Sequence, residues 1–121
     1  MITRITDVPS YVAGFRATGE VTKADYETVL LPVVEAVTQQ HGHIHFLFIL
    51  ETSVGNFTLG AWWEDALLGF QKFSKWKKIA IVSDQEWVDK LTPVLGALLP
   101  GQSKGFSLAE TDIAKQWVAK E

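Results

Sequence analysis

Residues 61–87 read AWWEDALLGFQKFSKWKKIAIVSDQEW, and this stretch decides the fold. It predicts an amphipathic helix, a basic turn, a wholly apolar strand and a second helix. Before the turn, large apolar side chains recur at three- and four-residue spacing, which gathers them onto one helical stripe. The members of this aromatic stripe are Leu59, Trp62, Trp63, Ala66, Leu67, Phe70 and Phe73. Such a stripe packs on a sheet or covers another hydrophobic surface.

The composition limits the class of protein. With 121 residues, 47% hydrophobic and 21% charged, we expect a single domain over residues 1–121 with one core. The absence of cysteine excludes disulfides, a thiolate nucleophile and cysteine-ligated metals. A net charge of −3 gives no global attraction for nucleic acid. Since no run approaches the ~18 apolar residues of a membrane span, and no signal peptide is visible, we expect a cytoplasmic bacterial protein.

Upstream of the quoted stretch, the pattern predicts a hairpin followed by a helix. Residues 1–6 and 11–18 form two short strands around a turn-prone segment. Thr22 and Asp25 have the spacing of a reciprocal helix cap. Pro32 falls inside the helical pattern and should kink or divide the helix, because it removes one backbone donor. Gly42 ends the helix.

Two strands are apolar on both faces, which favours the centre of a sheet covered on both sides. They are IHFLFIL at Ile44–Leu50 and the segment at residues 78–83, which contains IAIVS, and we expect them to be parallel neighbours. Ser83 and Glu86 would cap a helix that runs to about residue 99. A strand near residues 104–108 and a helix over residues 111–120 complete the order β-β-α-β-α-β-α-β-α. The prediction is a mixed five-stranded α/β sheet with about four helices.

Several segments resemble the SpoIIAA-like family over nearly the whole chain. The matching residues are Asp25-Tyr26-Glu27 with Leu31-Pro32, Trp63-Glu64-Asp65, Trp76 to Asp84, Trp87, and Ala114 with Trp117. The resemblance implies a fold related to STAS anti-anti-sigma factors and, more distantly, to the CRAL-TRIO lipid-transfer domain. It further implies an association with lipids or membranes.

The anti-anti-sigma factors that this family resembles carry a phosphorylatable serine at the helix that follows the central strand. The equivalent segment here is ETSVGNFT at residues 51–58, in which Ser53 or Thr58 is the candidate acceptor. A phosphate there would meet the positive end of the helix dipole. The simpler interpretation is that Thr58 or Asn56 caps the helix and Ser53 lies in a solvated loop.

Little in the sequence indicates catalysis. His43 and His45 alternate and could share a strand face, but a third metal ligand is not evident, and such histidines are often polar residues at element ends. Glu64 and Asp65 are adjacent on a helix and therefore diverge. Nucleotide-binding and nucleophile-elbow motifs are absent from the sequence. We expect no cofactor, no metal and no enzymatic activity.

Two apolar surfaces and one basic run remain as candidate binding features. The predicted ligand-binding residues, on the helices at residues 59–73 and 86–99, are Trp62, Trp63, Phe70, Leu91, Leu95 and Leu98. The predicted membrane-docking residues are Lys72, Lys75, Trp76, Lys77 and Lys78, because a tryptophan among lysines suits an anionic lipid surface. Ordinary core and a solvated basic turn are the competing interpretations of these two features.

The leading hypothesis is a non-enzymatic α/β domain that binds a hydrophobic or lipid-like molecule and associates transiently with the inner face of the membrane. The alternative is a regulatory protein-interaction module that resembles anti-anti-sigma factors and forms a homodimer or binds another protein through the same helices. Nucleic acid is not an expected partner.

Overall fold

The centre of the molecule is a five-stranded mixed sheet. The computed structural model describes residues 1–19, 22–51, 76–84 and 102–120. The strands are β1 (Ile2–Arg4), β2 (Val12–Ala17), β3 (Ile44–Leu50), β4 (Trp76–Ser83) and β5 (Gln102–Ser107). They lie in the order β1-β2-β3-β4-β5, so each strand pairs with its neighbour in the sequence. β1 is antiparallel to β2, as the predicted hairpin requires, and the other pairs are parallel.

The two apolar strands lie at the centre, as predicted. All seven residues of β3 are buried, and the strand pairs with β2 on one side and β4 on the other. Phe48 is paired with Ile81 in the register between β3 and β4. β4 begins at Trp76, two positions before the predicted start at Lys78. An irregularity between Ile44 and His45 accompanies the pairing of Trp76 with Ile44, and Lys77 and Lys78 follow Trp76 within β4.

The helical region before β3 is divided into α1 (Lys23–Asp25), a π-helical turn (Tyr26–Leu30) and α2 (Leu31–His41). The predicted cap is present, because the Thr22 hydroxyl accepts from the Asp25 amide at 3.3 Å and the Asp25 carboxylate accepts from the Thr22 amide at 3.1 Å. The wide turn ends just before Pro32, whose ring lacks the amide hydrogen that a regular helix would use there. The predicted division of the helix at this proline is therefore confirmed.

Gly42 ends α2 in the left-handed conformation, with φ of 74°. Its amide donates to the Thr38 carbonyl oxygen at 2.9 Å, which satisfies one of the last helical acceptors. A side chain would strain this backbone, so the glycine is required by the turn and not only favoured. The predicted end of the helix is confirmed.

Each face of the sheet carries its own apolar core. α2 and the π-helical turn cover one face, and α3 (Thr111–Ala119) covers the other. The first core contains Phe15, Leu30, Val34, Val37, Ile44, Phe46, Phe48, Trp76, Ile79 and Ile81, among others. The second contains Ile5, Val12, Leu47, Ile49, Ala80, Val82, Phe106, Ala114 and Val118. The alternation of side chains along β3 supplies both cores from a single strand.

The described residues contain helices in two places, before β3 and after β5, whereas the sequence predicted about four helices. The other two predicted helices, at residues 59–73 and 86–99, lie outside the described residues. Among the described helices, none is long and apolar enough to cross a membrane. The assignment of residues 1–121 to a single domain stays a prediction.

Candidate functional site

Three side chains, two on the sheet and one just before β2, hold the last turn of α3. The Tyr11 hydroxyl donates to the Ala119 carbonyl oxygen, His45 Nδ1 lies 2.5 Å from the Val118 carbonyl oxygen, and Lys78 Nζ donates to the Trp117 carbonyl oxygen at 3.1 Å. The last carbonyls of a helix have no partner within the helix and need external donors. Tyr11, His45 and Lys78 supply them, and we call these three residues the α3 clamp.

The sheet register explains why the clamp residues meet. Val12, His45 and Lys78 are successive partners across β2, β3 and β4, and Tyr11 directly precedes Val12. His45 and Lys78 therefore project from neighbouring strands on the face that α3 covers. Lys78 also lies above the Trp117 ring, with Nζ 4.9 Å from the ring centroid. The Trp117 ring in turn packs at 5.8 Å from Phe106 of β5.

The tautomer of His45 follows from its partner. A carbonyl oxygen only accepts hydrogen bonds, so Nδ1 carries the hydrogen and Nε2 of the neutral ring carries a lone pair. His45 is fully buried, and Nε2 has no hydrogen-bond partner in the described structure. Burial holds the pKa of His45 below its usual range, against the opposing effect of the bond to Val118. The nearby charges of His43, Lys77 and Lys78 lower this pKa further.

Aromatic rings surround His45. The ring centroid of Tyr11 lies 5.0 Å from that of His45 and 6.4 Å from that of His41, while the His43 centroid lies 5.3 Å from His45. Nε2 of His41 and of His43 is also buried and unpartnered within the described residues. Over the same residues, no three histidine or acidic side chains are grouped so that they could hold a metal ion. The arrangement is a chain of ring contacts from His41 through Tyr11 and His45 to His43.

The predicted membrane-docking residues are separated in the structure. Trp76 is only 4% exposed and packs edge-on against Phe46 at 5.6 Å, so its ring belongs to the core of the sheet. Lys78 is bound within the α3 clamp, whereas Lys77 is exposed. Lys72 and Lys75 lie outside the described residues. Of the described docking residues, only Lys77 has the exposure that a docking side chain needs.

The carboxyl ends of the parallel strands form a second polar region, and α/β sheets bind ligands preferentially at this edge. The Arg16 Nε atom lies 3.1 Å from Glu51 Oε1, an ion pair without hydrogen-bond geometry. The Glu51 amide donates to the Ala17 carbonyl oxygen at 2.9 Å, which fixes the exit of the chain from β3. At the end of β4, the Ser83 hydroxyl is fully buried and has no hydrogen-bond partner among the described residues. Glu86, its partner in the predicted cap, lies outside the described residues, so this cap stays a prediction.

The remaining predicted site residues lie beyond the described ranges. Ser53 and Thr58 follow β3 in the sequence, in a part of the chain that is not described. The six predicted ligand-binding residues, Trp62, Trp63, Phe70, Leu91, Leu95 and Leu98, are outside it as well. Their roles as phosphate acceptors and as a hydrophobic pocket stay predictions.

Sequence reasoning missed two features of the structure. One is the α3 clamp, in which His45 and Val118 are 73 positions apart and no local pattern connects them. The other is an open groove of about 310 Å³ beside the β1–β2 connection. Its lining residues are Arg4, Ile5, Thr6, Val8, Pro9, Ser10 and Val12. The sequence of this connection indicates only a turn, so the groove had no recognisable signal.

Comparison with known proteins identifies the family of this chain. A family model described as SpoIIAA-like matches residues 12–119, which run from the first residue of β2 to the last residue of α3. No curated protein and no solved structure matched the chain. The family match includes the four parallel strands, both described helical regions and all the residues between them. Because it covers most of the sequence and agrees with the observed mixed sheet, the chain belongs to the SpoIIAA-like family.

Proposed function

We propose that this protein is a regulatory protein-interaction module that acts in the manner of anti-anti-sigma factors. The observation that carries the proposal is the SpoIIAA-like match over residues 12–119. A module of this kind needs a rigid strand from which a short modifiable segment leads to the partner surface. The fully buried central strand β3, paired on both sides, fits that requirement.

The exit of the chain from β3 supports a phosphorylation switch. Ser53 follows Glu51 by two positions, and Thr58 is the alternative acceptor. A phosphate adds about −1.5 to −2 charges and binds arginine strongly. A cation lies at this exit in the described structure, because Arg16 forms an ion pair with Glu51 in which each side chain is about 40% exposed. Since exposed pairs contribute only ~0.2–1 kcal/mol, Arg16 can exchange Glu51 for a phosphate at small cost.

The partner is a protein, and a second copy of the chain is the partner that can be tested first. Native mass spectrometry with light scattering of the freshly purified protein separates the two hypotheses. A dimer free of small-molecule adducts supports the regulatory module. A monomer with a lipid-sized adduct contradicts it and supports the hydrophobic-ligand hypothesis instead. In that case, laurate should raise the melting temperature and Leu95→Trp should abolish the increase.

The switch is tested with charge variants on the same chain. Ser53→Asp should change the dimer dissociation constant relative to the neutral control Ser53→Asn, and Thr58→Asp and Thr58→Asn test the alternative acceptor. Arg16→Gln should remove the difference if Arg16 receives the added charge. Equal dimerisation in the aspartate and asparagine variants at both positions would contradict the switch.

A further inference from the structure

We propose that the α3 clamp is a proton-sensitive latch, in which protonation of His45 releases the last turn of α3 from the sheet. The latch joins three elements that are distant in the sequence. Tyr11 comes from the segment before β2, His45 from β3 and Lys78 from β4, and all three donate to consecutive carbonyls of α3. His45 is the histidine of the clamp, and histidine is the side chain whose ordinary pKa places its change of charge between about pH 5 and about pH 8.

Only one nitrogen of the His45 ring can accept an added proton. Nδ1 already carries a hydrogen, because it lies 2.5 Å from the Val118 carbonyl oxygen. Protonation therefore occurs at Nε2, which is buried and has no hydrogen-bond partner in the described structure. A new N–H without an acceptor, on a ring with no solvent exposure, is unfavourable in the closed state.

The charges that act on His45 are also unfavourable to an imidazolium. His43 precedes β3, and Lys77 and Lys78 lie on β4; all three disfavour the protonated ring. The centroid of the Tyr11 ring lies 5.0 Å from that of His45, and the centroid of the His41 ring, at the end of α2, lies 6.4 Å from that of Tyr11. α3 contributes the Val118 carbonyl, whose hydrogen bond favours protonation but is outweighed by burial. Together, these groups favour a neutral His45 in the closed latch.

His45 is shielded from solvent by the sheet and by the last turn of α3, and the last turn of α3 can move more easily. β3 is bonded along both edges to β2 and β4, so exposing His45 from the sheet side would require breaking strand pairs. The end of α3 is held instead by the clamp and by the Lys120 amide, which shares the Trp117 carbonyl oxygen with Lys78. Local opening of a helix end costs less than separating central strands. Release of this turn lets water hydrate the imidazolium.

The direction of the pH dependence follows from the pKa of His45. Burial holds that pKa below the value of ~6.5 found for an exposed histidine, so the open state binds a proton more readily than the closed state. The closed latch is therefore fully favoured above about pH 6.5 and loses this advantage as the pH falls. With one linked proton, the opening constant rises at most tenfold per pH unit.

Hydrogen exchange tests the latch. Amide exchange, corrected for the intrinsic pH effect, should show α3 residues 114–119 opening more as the pH falls from about 7.5 to about 5, while β3 amides stay protected. His45→Asn should remove this pH response, because its amide can donate to Val118 and does not titrate. His43→Asn is the matched control and should retain the response.

A measurement on the unmodified protein keeps the test independent of how the variants fold. The NMR shift of the His45 ring should titrate with the same midpoint as the opening of α3. Constant α3 protection over this pH range in the wild-type protein would overturn the proposal. So would a midpoint that follows another histidine, or a pH response that persists in a folded His45→Asn variant.

Discussion

The ammonium of Lys78 lies 4.9 Å from the centroid of the Trp117 ring and 3.1 Å from the carbonyl oxygen of the same residue. One cation thus contacts both the side chain and the backbone of Trp117. It lies at the C-terminal end of α3, where the helix dipole favours a positive charge. Lys78 therefore connects β4 to α3 through a hydrogen bond, a cation–π contact and a favourable interaction with the helix dipole.

Replacing this cation tests its contribution to stability. Lys78→Met keeps the aliphatic bulk but loses the hydrogen bond and the cation–π contact, so we expect a loss of ~1–3 kcal/mol in the free energy of unfolding. Lys77→Met, at an exposed neighbouring position, should change it by less than ~0.5 kcal/mol. Urea unfolding measures both values, and equal losses would show that the contacts of Lys78 contribute nothing specific.

The N-terminal cap of α1 can be tested with a second variant and its matched control. Thr22→Ala removes the hydroxyl that accepts from the Asp25 amide, and this should cost ~1 kcal/mol. Thr28 is the control because its hydroxyl donates to the Ala24 carbonyl oxygen within the helical region, a bond that adds little stability. Thermal and urea unfolding of Thr28→Ala should therefore resemble the wild type. A loss as large as that of Thr22→Ala would argue against the capping interpretation.

The central position of β3 predicts a severe effect at Phe48. This side chain is 4% exposed in the core beneath α2, and Phe48→Asp would introduce a carboxylate without a partner there. We expect a loss of ~4 kcal/mol or more, enough to unfold a marginal domain. Lys77→Asp, at an exposed position of the adjacent strand, should leave the circular dichroism melt nearly unchanged. An unchanged melt for Phe48→Asp would contradict the assignment of β3 to the core.

A second contact of α3 has its own pH dependence. Lys115 Nζ donates to the Asp7 carboxylate at 2.8 Å, and this bond lowers the pKa of Asp7. The contribution of the pair is therefore present above the unfolded pKa of ~3.9 and is lost as the pH falls through the lower folded pKa. Between about pH 5 and about pH 2, the free energy of unfolding should fall more steeply in the wild type than in Asp7→Asn.

The control for this pH experiment is Glu35→Gln, because Glu35 is an exposed carboxylate of α2 with no hydrogen bond or ion pair to another residue of the described ranges. Its pH profile should parallel that of the wild type. An Asp7→Asn profile as steep as the wild type would mean that the contact with Lys115 is not maintained in solution.

The predictable parts of the fold are those with short-range signals. Thr22 and Asp25 are three positions apart, and their reciprocal bonds form within a single turn. The left-handed Gly42 and the two-sided apolarity of β3 are likewise visible in a few consecutive residues. Such features depend on local backbone geometry or on burial, and both leave a direct pattern in the sequence.

The α3 clamp could not be predicted in this way. Lys78 stands in the run KWKK, which is typical of a solvated turn, and its acceptor Trp117 is 39 positions away. In the structure, the last three residues of this run, Trp76 to Lys78, belong to β4, and the irregular register at Ile44 and His45 aligns Lys78 with His45. The same run predicts a membrane-docking role for Trp76, whereas the strand buries its ring against Phe46. Tertiary pairing decides both positions, and a local pattern does not contain it.

The order of the strands across the sheet has a consequence for synthesis on the ribosome. Since β2, β3, β4 and β5 pair in the order in which they are made, each parallel strand meets a neighbour that has already emerged. The face that carries Leu47, Ile49 and Val82 receives α3 only after β5 is complete. The nascent chain therefore presents this face without its helix for a period, and that is the stage at which a chaperone would engage it.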